Sequence, residues 1–218
     1  MALGVSPIDS LMKRIYQTEQ EDFWAGEFGD EYLTRNRGNN LLAGRLALLA
    51  RVFSKIEPIS TLIEFGANIG LNLHAARLLL PSISLSALDI NSTAVKGLSA
   101  VGGIEVLHGS ILDFAPKRLW DFVLVSGLLI HINQDYLPIA FEKIYKSSGR
   151  YVFLSEYYNP TPIEVPYRGH SDKLFKRDFA GEFLDMYPDF RLLEYGFNYH
   201  RDHNFPQDDT TWFLLERR

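Results

Sequence analysis

Apolar positions along the chain change their period near residue 60. Before it, Ile8, Leu11, Met12, Ile15 and Tyr16 recur at helical spacing behind Ser6-Pro7, a cap followed by a proline, which predicts a first helix. The stretch from Trp24 to Asp30 reads as turn-rich, and Leu42, Leu46, Leu49, Ala50 and Phe53 share one face of a second helix over about Asn40–Lys55. From Ser60 onward, short apolar runs alternate with helical patterns. Strands are expected at Thr61–Phe65, Ser84–Ile90, Ile104–His108, Phe122–Ser126 and Tyr151–Ser155. Helices are expected up to Leu80, over Ser92–Leu98 and over Tyr136–Lys146. This alternation predicts an α/β fold, a parallel sheet covered on both faces. The tail departs from it. Asn159–His170 reads as a Pro- and Gly-rich loop, Leu174–Tyr187 as a helix, and Arg191–Phe197 and Thr211–Glu216 as two closing strands joined by the polar loop His200–Asp209. Two strands in succession at the end of a βα series imply an antiparallel edge.

Composition narrows the function classes. The chain has 218 residues, of which 46% are hydrophobic and 13% aromatic, enough for one packed core and inconsistent with a disordered or fibrous chain. Lys and Arg total 22 against 27 Asp and Glu, a net charge of −5, so no general nucleic-acid binder is expected. Cysteine is absent, which removes disulfides, thiolate metal sites and a Cys nucleophile. The His residues are scattered at spacings that match no ligand motif, so no metal is expected. With no apolar leader and no membrane-length run, a cytoplasmic protein is expected, with no membrane contact.

The most informative segment is Leu62-Ile-Glu64-Phe-Gly66-Ala-Asn-Ile-Gly70. A strand ends in an acid, a glycine turn follows and a helix begins. Gly66 suits a sharp turn that lets a ligand approach without a Cβ in the way. Glu64 beside that turn repels a pyrophosphate and attracts an ammonium, which favours a cationic amino-acid ligand over a dinucleotide. Asp89, at the end of the next strand, is placed to accept the two hydroxyls of a ribose.

These residues resemble the class I S-adenosylmethionine (SAM)-dependent methyltransferases over about residues 60–157. Asn68 stands where the family's middle glycine would be. The resemblance implies a Rossmann-like, doubly wound, mostly parallel seven-stranded sheet with an antiparallel C-terminal edge, and SAM as cofactor with S-adenosylhomocysteine (SAH) as product. It places cofactor contacts at Glu64, Gly66, Ala67, Gly70, Asp89 and Ile90. After the third strand it places them at Ser110 (where the family has an acid) and Ile111, and at the end of the fourth strand at Ser126 and Gly127. His131 matches a histidine common a few residues beyond that strand. The segments from Thr18 to Asn36, from Glu156 to Pro162, from Tyr167 to Phe179 and from Tyr199 to Asp202 are similar to the methylases associated with pseudaminic acid biosynthesis. That likeness implies methylation of a sugar or sugar nucleotide, at nitrogen or oxygen, in nonulosonic acid or surface-glycan biosynthesis.

The segments outside the nucleotide fold carry their own chemistry. Residues 1–57 are expected to form a helical lid on a methyltransferase unit over 58–218, the whole being one domain. In the lid, Trp24 and Tyr32 offer aromatic faces to a sulfonium, and Arg35 and Arg37 offer a guanidinium to a carboxylate. Tyr157, Tyr158, Asn159, Arg168, His170, Asp172 and Lys173 crowd one loop with polar groups, which suits a polar, oxygen-rich and anionic small-molecule acceptor. Tyr158, Asn159, Arg168, His170 and Lys173 are the substrate-binding candidates, and His131, Glu156 and His200 the candidate bases. Two other classes share parts of this pattern. A nicotinamide-dependent oxidoreductase fits less well, because Glu64 and the missing Gly-x-Gly-x-x-Gly spacing oppose it. A noncatalytic SAM-binding subunit would keep the glycine loop without a polar acceptor pocket. Oligomeric state is not legible.

Overall fold

In a computed structural model of the chain, residues 16–35 and 39–218 are described. The helix expected behind Pro7 therefore lies outside the described residues, as does Arg37, and nothing is described of the Arg35 side chain. Helices α1 (Glu19–Ala25), α2 (Glu27–Arg35) and α3 (Asn39–Phe53) precede the sheet. The stretch read as turn-rich is thus two short helices broken at Gly26. The α1 start is a capping box, in which Thr18 accepts from the Glu21 N–H and Glu21 accepts from the Thr18 N–H. Phe23 stacks on Phe28 across the break, with ring centroids 4.1 Å apart. Aromatic packing there outweighs the poor helix propensity of the two glycines.

The alternating unit then runs β1 (Thr61–Phe65), α4 (Leu71–Leu79), β2 (Ser84–Asp89), α5 (Ser92–Val101), β3 (Ile104–His108), β4 (Trp120–Ser126), α6 (Leu137–Ser147) and β5 (Ser148–Glu156). After β5 come a two-stranded hairpin, β6 (Ile163–Glu164) with β7 (Phe175–Lys176), then α7 (Phe179–Met186), β8 (Phe190–Phe197) and β9 (Thr211–Arg217). The main sheet has seven strands in the order β3-β2-β1-β4-β5-β9-β8, with β1 to β5 parallel and β9 antiparallel to both neighbours. This is the α/β architecture expected from the sequence.

One expectation needs correction. The run Leu174–Tyr187 is not a continuous helix: Phe175 pairs with Glu164 in the hairpin, and α7 starts only after Asp178, whose side chain accepts from the Gly181 N–H. Apolar residues 174, 175 and 179 mimic helical spacing because all three are buried, from two different elements.

Strand periodicity sorts the core into two layers. Ile63, Phe65, Val123, Val125, Val152 and Leu154 face α6 and α7. Leu62, Leu85, Ala87, Phe122, Leu124 and Phe153 face α3, α4 and α5. Glu64 belongs by this alternation to the second layer, so an ionisable carboxyl is aimed at an apolar face. The C-terminal ends of β1 to β5 all open on one side of the sheet, where the strand order reverses between β1 and β4.

Candidate functional site

At that edge lies a cavity of about 460 Å³, roofed by α1 and α2 and floored by the strand ends. Three turns shape its floor. Gly66 has φ +71°, and a Cβ there would come within 3.1 Å of Leu128. Asn68 has φ +51° and uses its side-chain oxygen to accept from the Ile69 N–H at 2.7 Å. Asparagine tolerates the left-handed region better than most residues, so the departure at the middle glycine is conformationally conservative. Gly70 also has a positive φ, +76°, and caps α4; a Cβ on it would meet Leu98, and it is not part of the lining.

Glu64 is buried in the cavity wall. Its Oε1 accepts from Asn72 Nδ2 at 2.6 Å, while Oε2 has no partner. Burial pushes its pKa up to about 8, against the lowering effects of Asn72 and the Arg45 guanidinium. Arg45, from α3, lines the same end and donates to Gln207 Oε1 at 3.0 Å. A buried carboxyl with a vacant oxygen, close to a guanidinium, matches the ammonium and carboxylate of an amino acid. One strand over, Asp89 accepts from the Asn68 and Asn91 N–H groups at 2.7 and 2.8 Å, and burial raises its pKa as well. Asn91 caps α5 and reaches up to the Trp24 carbonyl and to Asp30, tying the roof to this corner.

Of the other cofactor candidates, Trp24, Tyr32, Ala67, Ile90, Ser110, Ile111, Ser126 and Gly127 all line the cavity. The Ser110 hydroxyl is used within its own turn, accepting from the Leu112 N–H at 3.0 Å.

His131 follows β4 in a 3-10 turn and also lines the cavity, with its ring 4.4 Å from Trp24 and 5.3 Å from Tyr167. Its Nδ1 lies 2.7 Å from the Lys173 carbonyl. A carbonyl only accepts, so Nδ1 carries the proton and Nε2 a lone pair. Burial lowers the pKa to about 4, so the ring is neutral at working pH and a weak base. His200 lines the mouth, its Nδ1 2.8 Å from Asp209.

Glu156 is placed elsewhere. Its Oε1 accepts from the Leu128 and Leu129 N–H groups at 3.0 and 3.1 Å and its Oε2 from Ile130, behind the 3-10 turn and off the cavity lining. The carboxylate thus anchors the turn that carries His131, so the structure places this candidate base behind that turn and not on the lining. Burial raises its pKa to about 7.

The five substrate-binding candidates also fall outside the lining. Tyr158 packs on Phe213, Asn159 donates to the Thr161 carbonyl, Arg168 lies over the Tyr167 ring, His170 packs on Phe23, and Lys173 reaches Glu19. Polar density on a loop does not say which way its side chains turn. The same loop sends Tyr157 and Tyr167 to the cavity instead, joined by Gln207, Asp208 and Thr210 from the loop before β9. Arg45 and Gln207 carry no local sequence signal, since each becomes relevant only through a distant neighbour.

No protein-family model matches the chain, and no curated protein matches it in sequence. Solved structures match it in fold, and the class they define is the SAM-dependent methyltransferases. One is the plantazolicin methyltransferase BpumL in complex with SAH, at TM-score 0.64 and 10% identity, covering 91% of this chain and 94% of that one. Another is magnesium protoporphyrin IX methyltransferase from Synechocystis with bound SAM, at TM-score 0.64 and 11% identity, covering 92% and 98%. The N-methyltransferase NodS from Bradyrhizobium japonicum matches at TM-score 0.62 and 15% identity, covering 82% and 97%. The chain has the fold of these enzymes. The narrower likeness to methylases of pseudaminic acid biosynthesis has no counterpart among these comparisons.

Among the described residues, no helix is long and apolar enough to cross a membrane, and no cluster of three His, Asp or Glu side chains is arranged to hold a metal.

Proposed function

We propose that the chain is a SAM-dependent methyltransferase acting on a small polar acceptor. The observation that carries this reading is the vacant, buried Oε2 of Glu64 beside Arg45, one strand from Asp89. Together they supply an acceptor for an α-ammonium, a cation for an α-carboxylate and a carboxylate for a ribose diol. When bound, SAM supplies an electrophilic methyl group on a sulfonium. The chain's own residues do the rest. Glu64 and Arg45 hold the amino-acid end, Asp89 orients the ribose, and Gly66 lets the backbone come close. Trp24, Tyr32 and Tyr167 exclude water and offer ring faces to positive charge. Neutral His131 orients an acceptor hydrogen through Nε2 and does not need to carry the proton away.

The sugar-nucleotide acceptor implied by the sequence resemblance would need a cation for its phosphates. Among the described residues, Arg45 is the one Lys or Arg side chain on the lining, and in this reading it is used by the cofactor carboxylate. The acceptor is therefore read as small and polar, without an anionic requirement. Calorimetry tests the cofactor reading: SAM and SAH bind, NAD does not, and Asp89→Ala weakens SAH by about 1–3 kcal/mol because two ribose donors lose their acceptor. NAD binding as tightly as SAH overturns it.

A further inference from the structure

We infer that the acceptor end of this cavity is built for a cationic amine, so that the group methylated is a nitrogen. The inference rests on the methyltransferase reading above and deepens it.

Its first support is the wall. Trp24 stands 5.3 Å from Tyr32 and 6.5 Å from Tyr167, and His131 closes the space between Trp24 and Tyr167. Tyr157 joins them: burial, then the Asp208 carboxylate, then Tyr32 and Tyr167 push its phenol pKa up. These rings line one cavity together with the Asp208 carboxylate at its rim, and aromatic rings beside a carboxylate make an environment that stabilises an organic cation.

The second support is the distribution of charge. Among the described residues, the Asp, Glu, Lys and Arg side chains on the lining that the cofactor leaves unused are Glu21 and Asp208, both acidic. The cations of the neighbouring loop are turned away, Arg168 onto the Tyr167 ring and Lys173 to Glu19 and Phe23. His131 adds no positive charge.

The third is a set of unmet hydrogen bonds. Among the described residues five buried side-chain N or O atoms lack a partner, and four belong to the lining: Gln20 Oε1, Glu21 Oε1, Trp24 Nε1 and Glu64 Oε2. Gln20 and Glu21 are 5% and 7% exposed. Glu64 is accounted for by the cofactor. Gln20 and Glu21 leave two buried acceptors in α1, and a buried acceptor without a donor is costly, so the ligand must bring N–H or O–H groups.

An amine suits the wall and the charge, and its N–H groups supply the donors that Gln20 and Glu21 lack. It enters as an ammonium drawn by Asp208 and Glu21, loses one proton to solvent at the mouth, and attacks as the neutral base. The nitrogen lone pair forms the new N–C bond while the methyl carbon's bond to sulfur breaks and its electron pair stays on sulfur. The products are a methylammonium and neutral SAH; the sulfonium charge passes to nitrogen, and one proton is released overall.

The test uses the full chain saturated with SAH and three probes of one shape: tyramine, its alcohol counterpart tyrosol, and the carboxylate 3-(4-hydroxyphenyl)propionate. Affinities are read by calorimetry or thermal shift. Tyramine should bind at least about tenfold tighter than either counterpart, as expected for a partly desolvated cation–π and carboxylate site. The double variant Glu21→Gln, Asp208→Asn should bring that ratio below about threefold. Asp208 is exposed, so Asp208→Asn alone carries the comparison if the buried change impairs folding. No preference for the amine, or a preference unchanged in the variants, overturns the inference. SAH binding is measured first and separately, so loss of the cofactor reading is distinguished from loss of the amine reading.

Discussion

A carboxyl group buried among apolar side chains, as Glu64 is, makes folding and binding pull in opposite directions. Its pKa is about 8 in the folded chain, against an ordinary value of 4.5. The folded state therefore holds more protons between those values, and the unliganded protein loses stability as pH rises from about 4.5 through about 8. Glu64→Gln removes that liability while keeping an oxygen for Asn72. It should raise the melting temperature of the unliganded protein at pH 7.5 by several degrees, reflecting a gain on the order of a few kcal/mol. It should also weaken SAH. In the wild type, binding an ammonium forces Glu64 to ionise, so affinity should rise between about pH 6 and 8, by up to about tenfold per unit. It should level off or fall once the ligand's own amino group, with a pKa near 8, loses its proton. The variant should lack the rise. Calorimetry across pH, repeated in buffers of different ionisation enthalpy to count released protons, checks both; a wild-type affinity independent of pH contradicts the role given to Glu64. This residue and Asp89 were legible in sequence because a strand end fixes where an acid points. Arg45 was not: Gln207, to which it donates, lies 162 residues away.

The strand–turn–helix element from β1 to α4 repeats one conformational demand. Residues 66, 68 and 70 all have positive φ, at +71°, +51° and +76°. The spacing of glycines in this motif is thus a backbone requirement, and Asn68 satisfies it through its side-chain bond to the Ile69 N–H. Asn68→Gly should leave SAH affinity within about twofold and stability within about 1 kcal/mol, whereas Asn68→Val should destabilise by about 1–2 kcal/mol, because a β-branched residue is disfavoured in the left-handed region. Urea titrations of both variants decide the matter, and equal stabilities would show that the turn relaxes freely. Elements with strong period, β1 to β5 and α3 to α6, were readable for the same reason: their apolar faces meet the two core layers directly. The elements misread, α1, α2, β6 and β7, are short and owe their form to partners elsewhere along the chain. Phe23 and Phe28 pack against His170, and Phe175 pairs with Glu164. The placement of Glu156 was hidden on the same ground, since a carboxylate at a strand end reads alike whether it faces a cavity or collects backbone amides.

At the scale of the whole molecule, the roof formed by α1 and α2 is tied by polar contacts both to the α5 cap and to the loop before β7. Asn91 binds the Trp24 carbonyl and Asp30, Gln20 donates to the Asp172 carbonyl, and Lys173 reaches Glu19. Three of the unpartnered buried atoms, on Gln20, Glu21 and Trp24, lie in α1 itself. Such a layer gains more from a ligand than the strands do, because β1 to β5 are already paired backbone to backbone in the sheet. A ligand at about one hundred times its Kd stabilises the native state by about 2.7 kcal/mol. For a chain of this size that raises Tm by about 5–11 °C, at roughly 2–4 °C per kcal/mol. The distribution of the effect is the sharper expectation. In hydrogen exchange, SAH should slow the amides of 19–35 strongly and those of β4 and β5 little, since the latter already open only with global unfolding. Trp24→Ala removes the ring that contacts Phe28, Tyr32, His131 and Tyr167. It should abolish most of the added protection in 19–35 and weaken SAH about tenfold or more, while the unliganded Tm changes by only a few degrees, because Trp24 packs against the roof and cavity wall and not into either core layer. Equal slowing of exchange across sheet and roof would mean that the ligand stabilises the molecule as one cooperative unit and that α1 and α2 are as firmly built as the strands beneath them.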